Sequence, residues 1–169
     1  MHASVYVAAR CRFGVKSRAT MPNDSEKYVS DIANLAAWSG LPSDLRDRAA
    51  RLLSSIGEAR NVGSGDTWIR EGEQSANKGY VLLRGTVAII RDDHPRAECE
   101  APALLGEMMQ FNPREHRLAT ITALTRCTVL RFTWDDFWGA VKEQFDEVEY
   151  ASLRKIIEEY AWARFMDWD

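Results

Sequence analysis

Between Gly63 and Phe132 glycine cuts the chain into short runs, and this spacing constrains the fold more than any other feature. Gly63, Gly65, Gly72, Gly79 and Gly85 separate stretches rich in β-branched and aromatic residues. Such stretches are short for helices, and their composition suits pleated strands. Strands are predicted over 67–70, 80–83, 86–90, 119–124 and 127–132. Only Arg84-Gly85 stands between the second and the third, which predicts a tight hairpin. Many short strands with turn residues between them point to a barrel or jelly roll, not to alternating strands and helices.

On either side of this region the period becomes helical. Ile32, Leu35 and Ala36 predict one helix over 28–38, stopped by Ser39-Gly40. A second follows Pro42, with Ser43 as its N-cap, Leu45, Ala49, Leu52 and Ile56 as its inward stripe, and Gly57 at its end. After Phe132, Thr133 is placed to cap a helix carrying Phe137 and Val141. Asp146 opens a longer one whose stripe is Tyr150, Leu153, Ile157 and Tyr160, with Lys155, Glu158 and Glu159 on the solvent side. Trp134, Phe137 and Trp138 read as core packing. The expected fold is mainly β with flanking helices: a β-roll (double-stranded β-helix or jelly roll) with N-terminal helices and two C-terminal helices.

The remaining composition narrows the class. The 169 residues suit one domain, and no run approaches the roughly 20 apolar residues of a membrane helix. A net charge of −3 lacks the positive field of a dedicated nucleic-acid binder. Residues 1–24 differ from the rest: Arg10, Arg12, Lys16 and Arg18 are basic and no acidic residue precedes Asp24. Such a leader fits a mitochondrial transit peptide, a disordered tail or a true start at Met21, and the residues leave the three open. The leader is expected to be separate from a domain over 25–166, with the β-roll at about 62–133 and the C-terminal helices at about 134–166. Cys11, Cys99 and Cys127 form neither a disulfide framework nor a zinc spacing, which suits a reducing compartment such as the cytoplasm. His2, His94 and His116 are too few and too scattered for the paired-histidine metal site of an enzymatic jelly roll. No nucleophile elbow or P-loop is present, so no enzyme is expected and no cofactor is required.

Three segments carry a resemblance. Gly65-Asp66-Thr67-Trp68-Ile69-Arg70-Glu71-Gly72-Glu73 and Gly79-Tyr80-Val81-Leu82-Leu83-Arg84-Gly85-Thr86-Val87 come first. The third is Leu105-Gly106-Glu107, followed by Arg117-Leu118-Ala119-Thr120-Ile121. In this order and spacing they resemble the cyclic nucleotide-binding domain family, to which the catabolite activator protein, kinase A regulatory subunits and nucleotide-gated channels belong. The likeness spans about 45–160. It implies a phosphate-binding cassette with Gly106, Glu107, Met108, Met109, Arg117, Leu118 and Ala119 as ligand-binding residues. Arg117 would take the cyclic phosphate and offset Glu107, and Glu107 would accept the ribose 2′-hydroxyl. Leu153, Ile157 and Tyr160 would form a lid.

The chemistry suits the residue types. A guanidinium offers paired planar donors to a phosphate, which an ammonium does not. Backbone N–H groups at a helical turn over 108–111 favour an anion, and Gly106 lets the backbone approach without a Cβ. Arg114 competes with Arg117 for the role, but the strand after Arg117 favours Arg117.

Some residues depart from the family pattern. Met108-Met109-Gln110 replaces the usual run, with Met109 where a small residue faces the phosphate, and 101–104 lacks the usual turn. Leu118 stands where cyclic-GMP-selective members carry Thr or Ser, so the resemblance implies cyclic AMP rather than cyclic GMP. The expected function is a regulatory module that signals to an unidentified protein effector by moving its C-terminal helices, one of which can pair with itself in a homodimer. The rival reading is a degenerate domain acting as an interaction scaffold without ligand. Only 162–169 follow the long helix, too few for a helix-turn-helix, so direct DNA binding is not expected. Trp162 and Trp168 fit a purine lid, an oligomer contact or a tail equally.

Overall fold

A computed structural model describes residues 26–112 and 116–167. The leader 1–24, Arg114 and Trp168 lie outside the described residues. Strand β1 (Glu58–Val62) pairs with β8 (Cys127–Thr133), which pairs with β3 (Lys78–Arg84), which pairs with β6 (Ala103–Leu105). The second sheet runs β2 (Thr67–Ile69), β7 (Thr120–Ala123), β4 (Thr86–Arg91) and β5 (His94–Glu100). Every pairing is antiparallel, and the two four-stranded sheets form the expected β-roll.

Strand β3 explains why the roll carries helices on one side. Its interior is buried on both faces, so Tyr80-Val81-Leu82-Leu83 is a continuous apolar run and does not alternate. Tyr80 and Leu82 join Val87, Leu105, Ile121 and Val129 between the sheets. Val81 and Leu83 point the other way, into a second core with Leu104, Leu130, Trp38, Leu53, Phe137, Leu153 and Ile157. That second core belongs to the helices α1 (Val29–Ala33), α2 (Ser43–Ile56), α3 (Trp134–Gln144) and α4 (Glu147–Met166).

The helix ends follow local chemistry. The Thr133 hydroxyl accepts from the Asp136 N–H at 3.2 Å, as expected for a cap. Asp146 and Glu149 form a reciprocal capping box at 2.8 and 3.0 Å, and Arg48 of α2 binds the same Glu149 carboxylate. That contact ties α2 to the start of α4. The Arg48 guanidinium and the Asp146 N–H hold Glu149 below the usual carboxylate range.

Four expectations are corrected. The chain segments 80–83 and 86–90 do not form a hairpin. At Gly85 the chain leaves the first sheet and enters the second, so β3 and β4 have no common ladder. Gly85 has φ +96°, and a Cβ there would lie 2.6 Å from the Arg126 carbonyl oxygen. A dipeptide that resembles a hairpin turn is thus a crossing between sheets, because both flanking strands have better partners elsewhere. The predicted helix over 28–38 breaks after Ala33: Leu35 is extended (ψ 133°) and Ala36–Trp38 is a 3₁₀ turn. The break lets Ile32, Leu35 and Trp38 all reach one core, and the Trp38 indole N–H donates to the Ile32 carbonyl at 2.7 Å. Pro42, not Ser43, is the N-cap of α2; the φ of Pro42 (−56°) is preset, and Ser43 is the first helical residue. No strand is predicted between 90 and 119, yet His94–Glu100 forms β5 and Ala103–Leu105 forms β6.

Strands β1 and β5 were silent in the sequence because they are edges. Their exposed residues carry charges and Pro95 instead of an apolar alternation. Gly85→Ala should cost about 2 kcal/mol or more, from the left-handed backbone and the blocked carbonyl together. Chemical denaturation checks this, and an unchanged midpoint would remove the crossing constraint. Because Glu149 is depressed, its contribution is present at neutral pH and fades as the pH falls through the carboxylate range. Glu149→Gln should therefore reduce the loss of melting temperature on acidification.

Candidate functional site

At the end of β6 the chain turns through Gly106, whose φ is +79°, into a single 3₁₀ turn over Glu107–Gln110. The turn and the segment entering β7 face each other across a small cavity of about 40 Å³. Gly106, Glu107, Met108, Met109, Arg117, Leu118 and Ala119 all line it, with Ile69 and Ile121 as its floor. The structure therefore brings the seven sequence-derived candidates to one place. Wider, open hollows of about 530 and 640 Å³ lie elsewhere on the surface, but the buried charges converge on the small one.

Two of the lining residues are charged and buried. Glu107 is 3% exposed and Arg117 6%. Arg117 Nη2 donates to the carbonyls of Ser75 and Lys78 at 3.1 and 2.8 Å. Its other terminal nitrogen, Nη1, is buried without a hydrogen-bond partner. A Cβ at position 106 would stand 2.6 Å from Nη1, so glycine is what lets the guanidinium lie against the cassette backbone. The Tyr80 ring sits 5.9 Å from the guanidinium carbon. Burial pushes Arg117 below the ordinary arginine value, opposed by Tyr80, Glu107 and Glu73.

Glu107 is held from another direction. Arg164, near the end of α4, donates to its Oε1 at 3.0 Å and to the Tyr160 hydroxyl at 3.0 Å, and also to the Leu104 carbonyl. The Cys99 sulfur lies 3.9 Å from Arg164 Nη2. Burial raises the Glu107 carboxyl above the usual range, while Arg164, its own backbone N–H and Arg117 oppose the rise. Burial likewise pushes the Tyr160 hydroxyl up to about 12. Arg164 itself, which burial alone would lower, is held above its ordinary value by Glu107 and Tyr160.

The candidate lid residues separate. Leu153 and Ile157 are fully buried in the helical core, and neither lines the cavity. Tyr160 reaches the cassette through Arg164. Arg164 was not singled out in the sequence. It stands one turn beyond Tyr160, in the final turn of α4, and only its distant contact with Glu107 marks it as part of the site. Trp162 is 42% exposed and packs edge-on against Phe165.

A family model described as the cyclic nucleotide-binding domain matches residues 59–144. No curated protein matches the chain. Solved structures do. The catabolite activator protein of Thermus thermophilus is 18% identical at a TM-score of 0.58, over 76% of this chain and 58% of that one. The regulatory subunit of a cAMP-independent protein kinase A from Trypanosoma brucei is 19% identical at 0.55, over 78% of this chain and 49% of that one. The N-terminal domain of a transcriptional regulator from Streptomyces coelicolor A3(2) is 21% identical at 0.61, over 83% and 94%. This chain thus spans about half the length of the first two and nearly all of the third.

Arg164→Met should cost about 3–5 kcal/mol at neutral pH, because it leaves the Glu107 charge buried and unpaired. The sign with pH follows from the raised carboxyl. The unfolded chain releases that proton first, so folded stability falls as the pH rises through the folded value, which loss of Arg164 moves higher still. The deficit of the variant should therefore shrink on acidification. Melting curves across pH test this, and a deficit independent of pH would contradict it.

Proposed function

Because the chain belongs to the cyclic nucleotide-binding domain family, we propose that it is a regulatory module that takes up cyclic AMP in preference to cyclic GMP and signals through α4. One observation carries the reading: Arg117 Nη1, inside the cassette, is a buried charged donor with no acceptor. Such a group is costly unless an acceptor completes it, and a cyclic phosphate would supply oxygens of the right charge and spacing. Glu107 stands beside it as the acceptor for a ribose hydroxyl.

The cavity of about 40 Å³ is far below the roughly 300 Å³ at which small-molecule pockets begin. Uptake therefore requires the cassette to open. Met108 and Met109, the unbranched side chains that narrow it, are suited to repacking. Arg164 now occupies the Glu107 carboxylate, and a ribose hydroxyl would compete for it. Ligand would thus reset the contact between the cassette and the end of α4, shifting an equilibrium between two positions of that helix. Leu118 lines the cavity and has no hydroxyl to offer a guanine edge, which favours adenine. The output would pass to a protein effector or a second copy through the exposed end of α4, where Trp162 and Met166 are 42% and 68% exposed. No helix among the described residues is long and apolar enough to cross a membrane.

The small cavity also favours a second reading, a scaffold without ligand, and one similar regulatory subunit is described as cAMP-independent. Melting curves separate the two. Cyclic AMP at a hundredfold excess over its dissociation constant should stabilise the fold by about 2.7 kcal/mol. Cyclic GMP should bind more weakly, by about 1–3 kcal/mol for an unpaired guanine group. Arg117→Ala should remove about 2–5 kcal/mol of binding. Hydrogen exchange should slow at 106–110 and change over 153–166 together. No shift with millimolar cyclic AMP or cyclic GMP would establish the scaffold. Protection confined to the cassette would remove α4 from the mechanism.

A further inference from the structure

Arg117 owes its orientation to a segment about forty residues earlier in the chain. Its backbone N–H donates to the Glu73 carbonyl at 2.9 Å, and its own carbonyl accepts from the Gly72 N–H at 2.9 Å. The side chain then reaches the carbonyls of Ser75 and Lys78 through Nη2. A guanidinium is planar, so two bonds to one terminal nitrogen set the plane, and with it the direction in which the other terminal nitrogen points. The cassette supplies only the clearance at Gly106.

The turn that presents these two carbonyls has a left-handed backbone, as does the one at Asp92-Asp93. Ala76 and Asn77 both have left-handed backbones, with φ of 46° and 57°, and neither is glycine. Consecutive left-handed L-residues need outside support. Part of it is the Ser75 side chain, only 9% exposed, whose hydroxyl accepts from the Asn77 N–H at 3.0 Å. The Lys78 N–H donates to the Ser75 carbonyl at 3.1 Å, and the Trp134 N–H donates to the Asn77 carbonyl at 2.8 Å.

We infer that the Ser75–Lys78 turn is the positioning element of the anion site, and that Ser75 is its positioning residue. The Ser75 hydroxyl holds the left-handed turn, the turn aims two carbonyls at Arg117 Nη2, and Nη1 is thereby left directed at the phosphate. Ser75 touches no ligand in this arrangement. It acts by removing rotamers of Arg117 before the phosphate arrives, so that little side-chain freedom is lost on binding. The inference rests on the cyclic nucleotide reading above.

Three measurements on the full chain decide it: calorimetric affinity for cyclic AMP, the melting temperature without ligand, and the nitrogen NMR signals of the Arg117 guanidinium. Ser75→Ala should weaken cyclic AMP binding about tenfold. It should also merge the Nη signals that slowed rotation keeps apart in the wild type. Ser75→Thr, which keeps the hydroxyl, should restore both. A purely structural role would lower the melting temperature without moving the Arg117 signals, and that result would overturn the inference. So would wild-type affinity in Ser75→Ala. If Ser75→Ala does not fold, Asn77→Gly and Asn77→Val decide instead. The glycine keeps the left-handed backbone and should bind as the wild type does, and the β-branched valine should lose affinity. Equal affinity in the two would overturn the inference. Failure of the wild type to bind either cyclic nucleotide is a different outcome, and it removes the binding reading itself.

Discussion

Two opposite charges buried within one cassette set the terms for everything around them. Glu107 and Arg117 face the same small cavity, yet they do not satisfy each other. Each is held by a separate part of the chain: Arg117 by the carbonyls of the 75–78 turn, Glu107 by Arg164 at the far end of α4. An isolated charge in such a place would cost several kcal/mol, so the turn and the last helix are tied to the cassette by electrostatic need as well as by packing. The arrangement also keeps the two charges from collapsing into a closed ion pair. Arg117 Nη1 is left without a partner, and the Glu107 partner comes from the last turn of α4.

Strand β3 is what allows this separation. Buried on both faces, it joins the core between the sheets to the core beneath the helices. Its start, at Lys78, provides one of the carbonyls that hold Arg117. On the β3 face, Tyr80 lies beside the guanidinium, while Val81 and Leu83 pack toward α4 and its neighbours. Displacement of α4 would therefore be felt through the helical core and the cassette at once, whereas the carbonyls that hold Arg117 belong to the 75–78 turn.

Much of the fold was legible because glycine spacing, β-branched runs and helical stripes are local signals. The caps at Thr133 and Asp146 were visible for the same reason, since the residue that caps lies next to the element it begins. What escaped had no local signature. Edge strands β1 and β5 carry charges because one side of each ladder is open, so their sequence resembles a loop. Arg84-Gly85 has hairpin chemistry, and only the preference of each flanking strand for a distant partner makes it a crossing. In the site, the cassette was readable from the order of its motif residues. Arg164 and Ser75 were not, because their roles exist only through contacts 57 and 42 residues away.

The narrowness of the cavity follows from the same logic. Opening it would separate Met108 and Met109 from their neighbours and loosen Arg164 from Glu107, both unfavourable by themselves. A cyclic nucleotide would offset those losses, because its phosphate completes Arg117 and its ribose hydroxyl gives Glu107 a substitute for part of what Arg164 supplied. A permanently open pocket would bind more tightly but would have no closed position to leave. In the proposed mechanism, the pairing of Glu107 with the α4-borne Arg164 would give up affinity for a measurable difference between two states. The bulk of the two methionines that line the cavity would then set how large that sacrifice is.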